Sequence, residues 1–241
     1  MTNIAIISGV GPERGMGAQL AQRFARLGLH VFAVGRTQAS LNAVVTAIEA
    51  AGGSATAEVA DCTDEQATRD LFTRARQAGR IDLVIYNTGT NTPGHFADMT
   101  AAFFEASWRS CCFGGFLYGR EAIRHMQQDG GGTILFTGAS ASLRGRANFG
   151  AFNSAKGALR NMAQAMAKEC GPAEIHVGHV VIDGAIDGDK IRQRLPEVAA
   201  RLGDDGLINI QAIVDGYEYL YRQPRSGWTF ELDVRTAIEN W

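Results

Sequence analysis

At 241 residues, 46% hydrophobic and 20% charged, the chain has the size and composition of one large globular domain able to bury a sizeable core. A formal net charge of -2, with lysine and arginine spread along the chain, excludes the basic stripe that nucleic-acid or anionic-membrane binding requires. No apolar run reaches membrane-spanning length and the four cysteines (62, 111, 112 and 170) lack CxxC spacing, so the expectation is a cytoplasmic protein with reduced thiols and a small-molecule substrate.

The first apolar run, residues 4–7, leads into Ser8-Gly9-Val10-Gly11-Pro12-Glu13-Arg14-Gly15-Met16-Gly17, and helical periodicity follows with Leu20, Phe24 and Leu27 on one face. A glycine-rich loop between a strand and a helix is a dinucleotide signal. Glycine lets backbone approach a pyrophosphate, while free N–H groups and the helix dipole favour its charge. Gly9, Gly11, Arg14, Gly15, Met16 and Gly17 are the candidate contacts, and Gly9 is consistent with a loop lengthened by Pro12-Glu13 or with a neighbouring glycine pair. The second strand, residues 31–34, ends in Gly35-Arg36-Thr37. An acidic residue there would bind the ribose 2′-hydroxyl of NAD. Arginine favours a 2′-phosphate instead, and Arg14 offers a second guanidinium, so NADP(H) is expected over NAD(H).

Leu41, Val45 and Ile48 mark the next helix, Asp61-Cys62 follows a third strand, and residues 81–86 form a fourth that ends in Asn87-Thr88-Gly89. Strands at 133–136 and 175–182 come next, separated by a helix that carries Phe152 and Lys156 and runs on to Cys170. Residues 206–222, with Ile208, Ile213, Tyr217 and Leu220, read as a helix and residues 227–232 as a last strand, whereas residues 91–99 and 184–205 are the loosest stretches. Strands alternating with long helices predict an α/β fold, a doubly wound parallel sheet with helices on both faces. The crossovers are right-handed and the ligand cleft lies at the strand carboxyl ends, where both loose stretches would overhang it.

Taken in order, the glycine loop with Gly11-x-x-x-Gly15-x-Gly17, Asp61-Cys62, Asn87-Thr88-Gly89 and Phe152-x-x-x-Lys156 resembles the short-chain dehydrogenase/reductase family over nearly the whole chain. The resemblance implies a single Rossmann-fold domain and a nicotinamide cofactor. It places Asp61 and Cys62 at the adenine, Asn87 and Gly89 along the cofactor, Lys156 at the nicotinamide ribose, and Gly184 where the family has the glycine of a Pro-Gly pair. It also implies a homodimer or homotetramer formed through the last strand and the lysine helix. In the family's usual mechanism a serine and a tyrosine hold the substrate oxygen, the lysine lowers the tyrosine pKa, and an asparagine supports a water relay. Matching the motifs puts Phe152 at the tyrosine, Ala139 at the serine and Cys111 at the asparagine, so only Lys156 is kept. Enoyl-reductase relatives place the tyrosine seven residues before the lysine, where this chain has Phe149.

Ser140, beside Ala139, is the strongest remaining hydroxyl, and with Lys156 it forms the expected catalytic pair. His95, Cys111, Tyr86 and Tyr118 are weaker donors with ordinary roles in solvent or packing. Asp183-Gly184 replaces the family's Pro-Gly. With Asp187 that carboxylate suits a cationic substrate or acid–base work, and it is also a simple turn former. His176 and His179 are three apart on a strand and face opposite sides, so no metal site is expected. Two functions fit. One is an atypical NADP(H)-dependent oxidoreductase acting on a small carbonyl, imine or enone. The other is a nucleotide-binding protein without redox turnover, either a lyase or isomerase or a cofactor-responsive partner.

Overall fold

The computed structural model describes residues 2–239. Along the chain run β1 (Asn3–Ile7), α1 (Met16–Arg26), β2 (His30–Gly35), α2 (Gln38–Ala50), β3 (Ser54–Val59), α3 (Glu65–Ala78) and β4 (Arg80–Tyr86). The second half contains α4 (Ala101–Trp108), α5 (Gly114–Met126), β5 (Gly132–Thr137), α6 (Gly150–Cys170) and β6 (Ile175–Asp183). It ends in β7 (Ala185–Ile186), α7 (Asp189–Arg194), α8 (Pro196–Leu202), β8 (Leu207–Ile208), α9 (Ile210–Arg222) and β9 (Glu231–Arg235).

The seven long strands form one parallel sheet in the order β3-β2-β1-β4-β5-β6-β9. The central strands read as unbroken apolar runs because helices cover both faces, and every residue of β6 is buried. One core packs α1, α2 and α9 against the sheet; the other packs α3, α5 and α6. Strand order reverses between β1 and β4, so the crevice of this doubly wound Rossmann fold opens at their carboxyl ends. Side-chain caps start several helices there. Asp64 accepts the Ala67 N–H at 2.9 Å ahead of α3, and Thr100 accepts that of Phe103 at 3.1 Å ahead of α4.

Several expectations need correction. In α2 the inward stripe is Leu41, Val44 and Ile48, with Val45 only half-buried. The predicted helix over 206–222 begins only at Ile210, since Leu207 and Ile208 pair with β7 and Asn209 caps the turn by accepting the Gln211 N–H at 2.7 Å. The last strand lies at β9 rather than 227–232, because residues Arg225–Gly227 make a tight turn and pairing with β6 begins at His179 opposite Glu231. The stretch 184–205 is also not loose, for it folds as β7, α7 and α8 around Ile191, Ala199 and Leu207. Between α4 and α5 a π turn, Arg109–Phe113, carries Cys111.

Candidate active site

The glycine loop folds back on the sheet at its three tightest points. A β-carbon on Gly9 (φ +72°) would sit 2.8 Å from the Asn87 carbonyl, one on Gly17 would overlap the Gly9 carbonyl, and one on Gly35 would overlap that of Val10. Gly11 is different: none of the described residues lies within 4 Å of the space its β-carbon would take, which leaves the cradle open there. Gly15 caps α1 and gives its own N–H to Pro12 O at 2.8 Å, so Pro12-Glu13 do form a turn inside the loop. That turn leaves the N–H groups of the first turn of α1 without intrahelical acceptors. Met16 is half-buried against the first core, and Arg14 is exposed with its carbonyl near the Asp189 N–H at 3.4 Å.

Arg36 stands exposed at the end of β2, close enough to Asp61 to help stabilise its carboxylate. The Thr63 N–H at 2.8 Å is the main cause holding Asp61 below the usual carboxylate range. The Cys62 thiol turns inward, 3.3 Å from Thr88 Oγ1, and burial pushes its pKa up, so a ligand here would meet only the Cys62 backbone. Thr88 donates to Ser8 Oγ at 3.0 Å, Ser8 Oγ accepts the Asn87 N–H at 3.1 Å, and Asn87 Nδ2 donates to Gly9 O at 3.3 Å. Asn87 Oδ1 in turn accepts from Thr137 Oγ1 at 3.1 Å, and Thr137 meets Tyr217 OH at 2.6 Å. Asn87 therefore links the glycine loop to the end of β5.

At the end of β5, Lys156 reaches in from α6. It is only 4% exposed, its Nζ donates to Thr137 O at 2.7 Å, and burial pushes its pKa down. Gly89 sits against it: a β-carbon there would touch Lys156 Nζ at 3.4 Å and Cys111 Sγ at 3.3 Å. Cys111 is occupied by backbone, accepting the Thr90 N–H at 3.4 Å and donating to Thr90 O at 3.5 Å. Phe152, one turn before Lys156, places its ring centroid 5.9 Å from Nζ, within reach of a cation–π attraction. Tyr86 donates to Ser110 O at 2.7 Å, and both Tyr86 and Tyr118 are buried with pKa values pushed up by burial, which removes them as acids.

The serine that engages its surroundings here is Ser142, a residue the motif reading passed over. Ser140 is half-buried in the same turn with no side-chain hydrogen bond among the described residues. Ser142 Oγ accepts the Ala139 N–H at 3.2 Å and lies 3.4 Å from His179 Nε2. His179 Nδ1 meets Glu231 Oε2 at 2.9 Å, and Arg160 binds that carboxylate through both Nε and Nη2. Gly138 makes this approach possible, since a β-carbon there would overlap the His179 ring. His176 instead stacks on Trp228 and contacts Thr229 O, so the two histidines indeed part company.

Burial lowers the His179 pKa to about 4, so the folded protein holds a neutral ring that donates from Nδ1 to Glu231. Between this value and the unfolded 6.5 the unfolded chain binds the extra proton, and stability therefore falls as pH drops through that window. The loss expected by pH 4 is about 3 kcal/mol. Arg160 holds Glu231 below its ordinary range, so protonation of that carboxylate adds to the acid destabilisation at still lower pH. Melting curves of His179→Gln against wild type between pH 7 and 4 should show the variant less stable at pH 7 but with a flatter pH dependence. Parallel slopes would refute a neutral His179.

At the end of β6 Asp183 is 1% exposed, and Arg144 Nη2 stands 2.9 Å from both of its oxygens. Asp187 is paired with Arg192. Neither carboxylate is thus available for the cationic substrate that the sequence suggested. Gly184 (φ +149°) follows against Ile208, and His95 is exposed beside Asp98 in a shallow cavity of about 280 Å³ lined by Pro93, Met99 and Phe103. Local sequence carried little sign of Thr137, Ser142, Arg144 or Glu231, whose side-chain partners Asn87 and Tyr217, His179, Asp183, and Arg160 and His179 are distant in the chain.

A family model for short chain dehydrogenases matches residues 3–197. Versicolorin reductase 1 of Aspergillus parasiticus is 34% identical over 188 residues, which cover 77% of this chain and 70% of its own. A solved short-chain dehydrogenase from Rhodopseudomonas palustris superposes with a TM-score of 0.83 at 36% identity, over 97% of this chain and 98% of the other. A 7α-hydroxysteroid dehydrogenase complexed with NADH and 7-oxo glycochenodeoxycholic acid gives 0.89 at 28% identity, over 99% and 95%. With the sheet order, the glycine loop and the buried lysine at the same crevice, these matches establish that the chain belongs to the short-chain dehydrogenase family.

Proposed function

We propose that this chain is an atypical NADP(H)-dependent reductase of the short-chain dehydrogenase type, acting on a small carbonyl, imine or enone. The observation that carries the reading is Lys156, buried at the mouth of the crevice and held by Thr137 O at 2.7 Å. A reductase among its relatives and an NADH-bound dehydrogenase among its structural neighbours support hydride transfer as the reaction class. The glycine cradle fits a dinucleotide: Gly9, Gly17 and Gly35 let three backbone segments close up, while Gly11 leaves the space a pyrophosphate would need. When bound, the nicotinamide supplies or accepts the hydride.

The chain's own tasks are then to bind, orient and exclude water. The first turn of α1 holds the pyrophosphate, Arg36 and Arg14 the 2′-phosphate, and Asp61 with the Cys62 backbone the adenine. Asn87 and Gly89 shape the channel, and Lys156 holds the ribose hydroxyls. Gly184 flanks the nicotinamide side of the cleft. Ser140 is the hydroxyl left to orient a substrate oxygen, and a proton reaches that oxygen from water or from the substrate itself. Substrates whose reduced carbon needs little protonation suit such a site best. We also place the protein in the cytoplasm as a homodimer or homotetramer; no helix among the described residues is long and apolar enough to cross a membrane.

Calorimetric titration with NADPH and NADH tests the cofactor assignment. NADPH should bind more tightly, and Arg36→Ala should weaken NADPH about 10–100-fold, the worth of a charged hydrogen bond, with NADH unchanged. Equal losses for both nucleotides would remove Arg36 from the 2′-phosphate, and binding of neither would remove the reductase reading. Phe152, whose ring faces Lys156 Nζ where a phenol would serve, favours a second reading, a nucleotide-binding protein that has abandoned redox turnover.

A further inference from the structure

Arg144 is fixed at both ends. Its N–H donates to Ser140 O at 3.0 Å and its carbonyl accepts from Asn153 Nδ2 at 2.6 Å, which ties its backbone between the Ser140 turn and the residue after Phe152. Its guanidinium then crosses the front of the strand ends to Asp183, using Nη2 alone for both carboxylate oxygens. The Arg144 side chain stays 38% exposed, and among the described residues its Nε and Nη1 make no hydrogen bond. An arginine oriented by a buried carboxylate, with half of its donor fork unused and in water, is preorganised for a planar oxyanion.

The surroundings extend the pattern. Two residues on, Arg146 lies exposed with its guanidinium 5.0 Å above the Phe149 ring. Apolar surface lies on the same segment: Leu143, next to Arg144, is exposed, and Phe96, 74% exposed, lies against Gly150 at the start of α6. Of the other acids that follow β6, Asp187 is engaged by Arg192, and Glu239 approaches Gly184. We infer that the substrate carries a carboxylate or phosphate at one end of an apolar body, and that Arg144 recognises that group. The inference rests on reading this crevice as the substrate site of a reductase.

The test titrates NADPH-saturated protein with benzoate, phenyl phosphate and benzamide, read by saturation-transfer NMR. At least one anion should bind about tenfold more tightly than benzamide, and the paired variant Arg144→Gln, Asp183→Asn, which removes both charges together and so leaves no buried carboxylate unpaired, should erase that preference. NADPH affinity should stay within about twofold of wild type, since neither side chain is assigned to the nucleotide. Whichever anion binds better identifies the oxyacid. Benzamide binding as well as both anions, or a preference that survives in the paired variant, overturns the inference. If the pair fails to fold, Arg144→Lys decides: losing the planar fork should cut the preference severalfold, and an unchanged preference overturns it. If NADPH itself does not bind, the same titrations on the protein alone still read the anion site, so the two readings fail separately.

Discussion

Phe152→Tyr is expected to raise NADPH-dependent reduction of a simple aromatic ketone by ~10²-fold or more, the usual contribution of a positioned proton donor. The geometry supports a gain of that size. Phe152 and Lys156 are one helical turn apart on α6, with Nζ 5.9 Å from the ring centroid, so a tyrosine at position 152 would carry its hydroxyl on the same helical face as the lysine. An ammonium beside a phenol lowers the phenol's pKa by favouring its charged form. Lys156 suits that task by position: it is buried beside the ring, with its Nζ anchored on the Thr137 carbonyl at 2.7 Å. Adding Ala139→Ser should increase the gain, since among the described residues Ser140 makes no side-chain hydrogen bond and Ser142 is committed to His179. The measurement is initial NADPH oxidation with purified protein against an aromatic ketone. A flat result for both variants, with NADPH affinity intact, would favour the reading without redox turnover.

Gly17→Val should weaken NADPH and NADH alike by about 10–100-fold or more and lower the melting temperature by roughly 2–10 °C, the range expected for overpacking in a domain of this size. A β-carbon at position 17 overlaps the Gly9 carbonyl, and Gly9 in turn is pressed against Asn87, so relief must move either the loop or the end of β4. The closest atoms on both sides are backbone, which cannot swing aside as the tip of a side chain would. Gly11→Ala is the contrasting variant. Its new methyl meets none of the described residues within 4 Å and its φ is not positive, so the melting temperature should hold while nucleotide affinity falls. Calorimetry and thermal melts on the two variants separate a cradle that a ligand fills from a turn that only the fold needs. If Gly11→Ala binds both nucleotides as wild type does, the pyrophosphate does not lie against Gly11.

From sequence alone the strands from β1 to β6 and the long helices that carry the glycine loop and Lys156 were legible, whereas the last strand and the short elements after β6 were not. Also legible were the position of the glycine loop and the neighbourhood of Phe152 and Lys156. Each of these rests on local physics: two covered faces turn a strand into an apolar run, and a helix sets residues four apart side by side. Met16, Arg14 and Arg36 were legible as positions at strand ends, and Asn87 as a turn residue, although its role in linking β1 to β5 was not. Tertiary structure alone decided which polar groups are committed. Ser142 and His179 are separated by 37 residues, Arg144 and Asp183 by 39, and Arg160 and Glu231 by 71. No periodicity carries such pairings, because they depend on which strands become neighbours and on where a glycine such as Gly138 lets a ring come close. Short elements were lost for the same reason. Leu207 and Ile208 continue the pattern of the helix that follows them, and only β7 lying alongside makes them a strand.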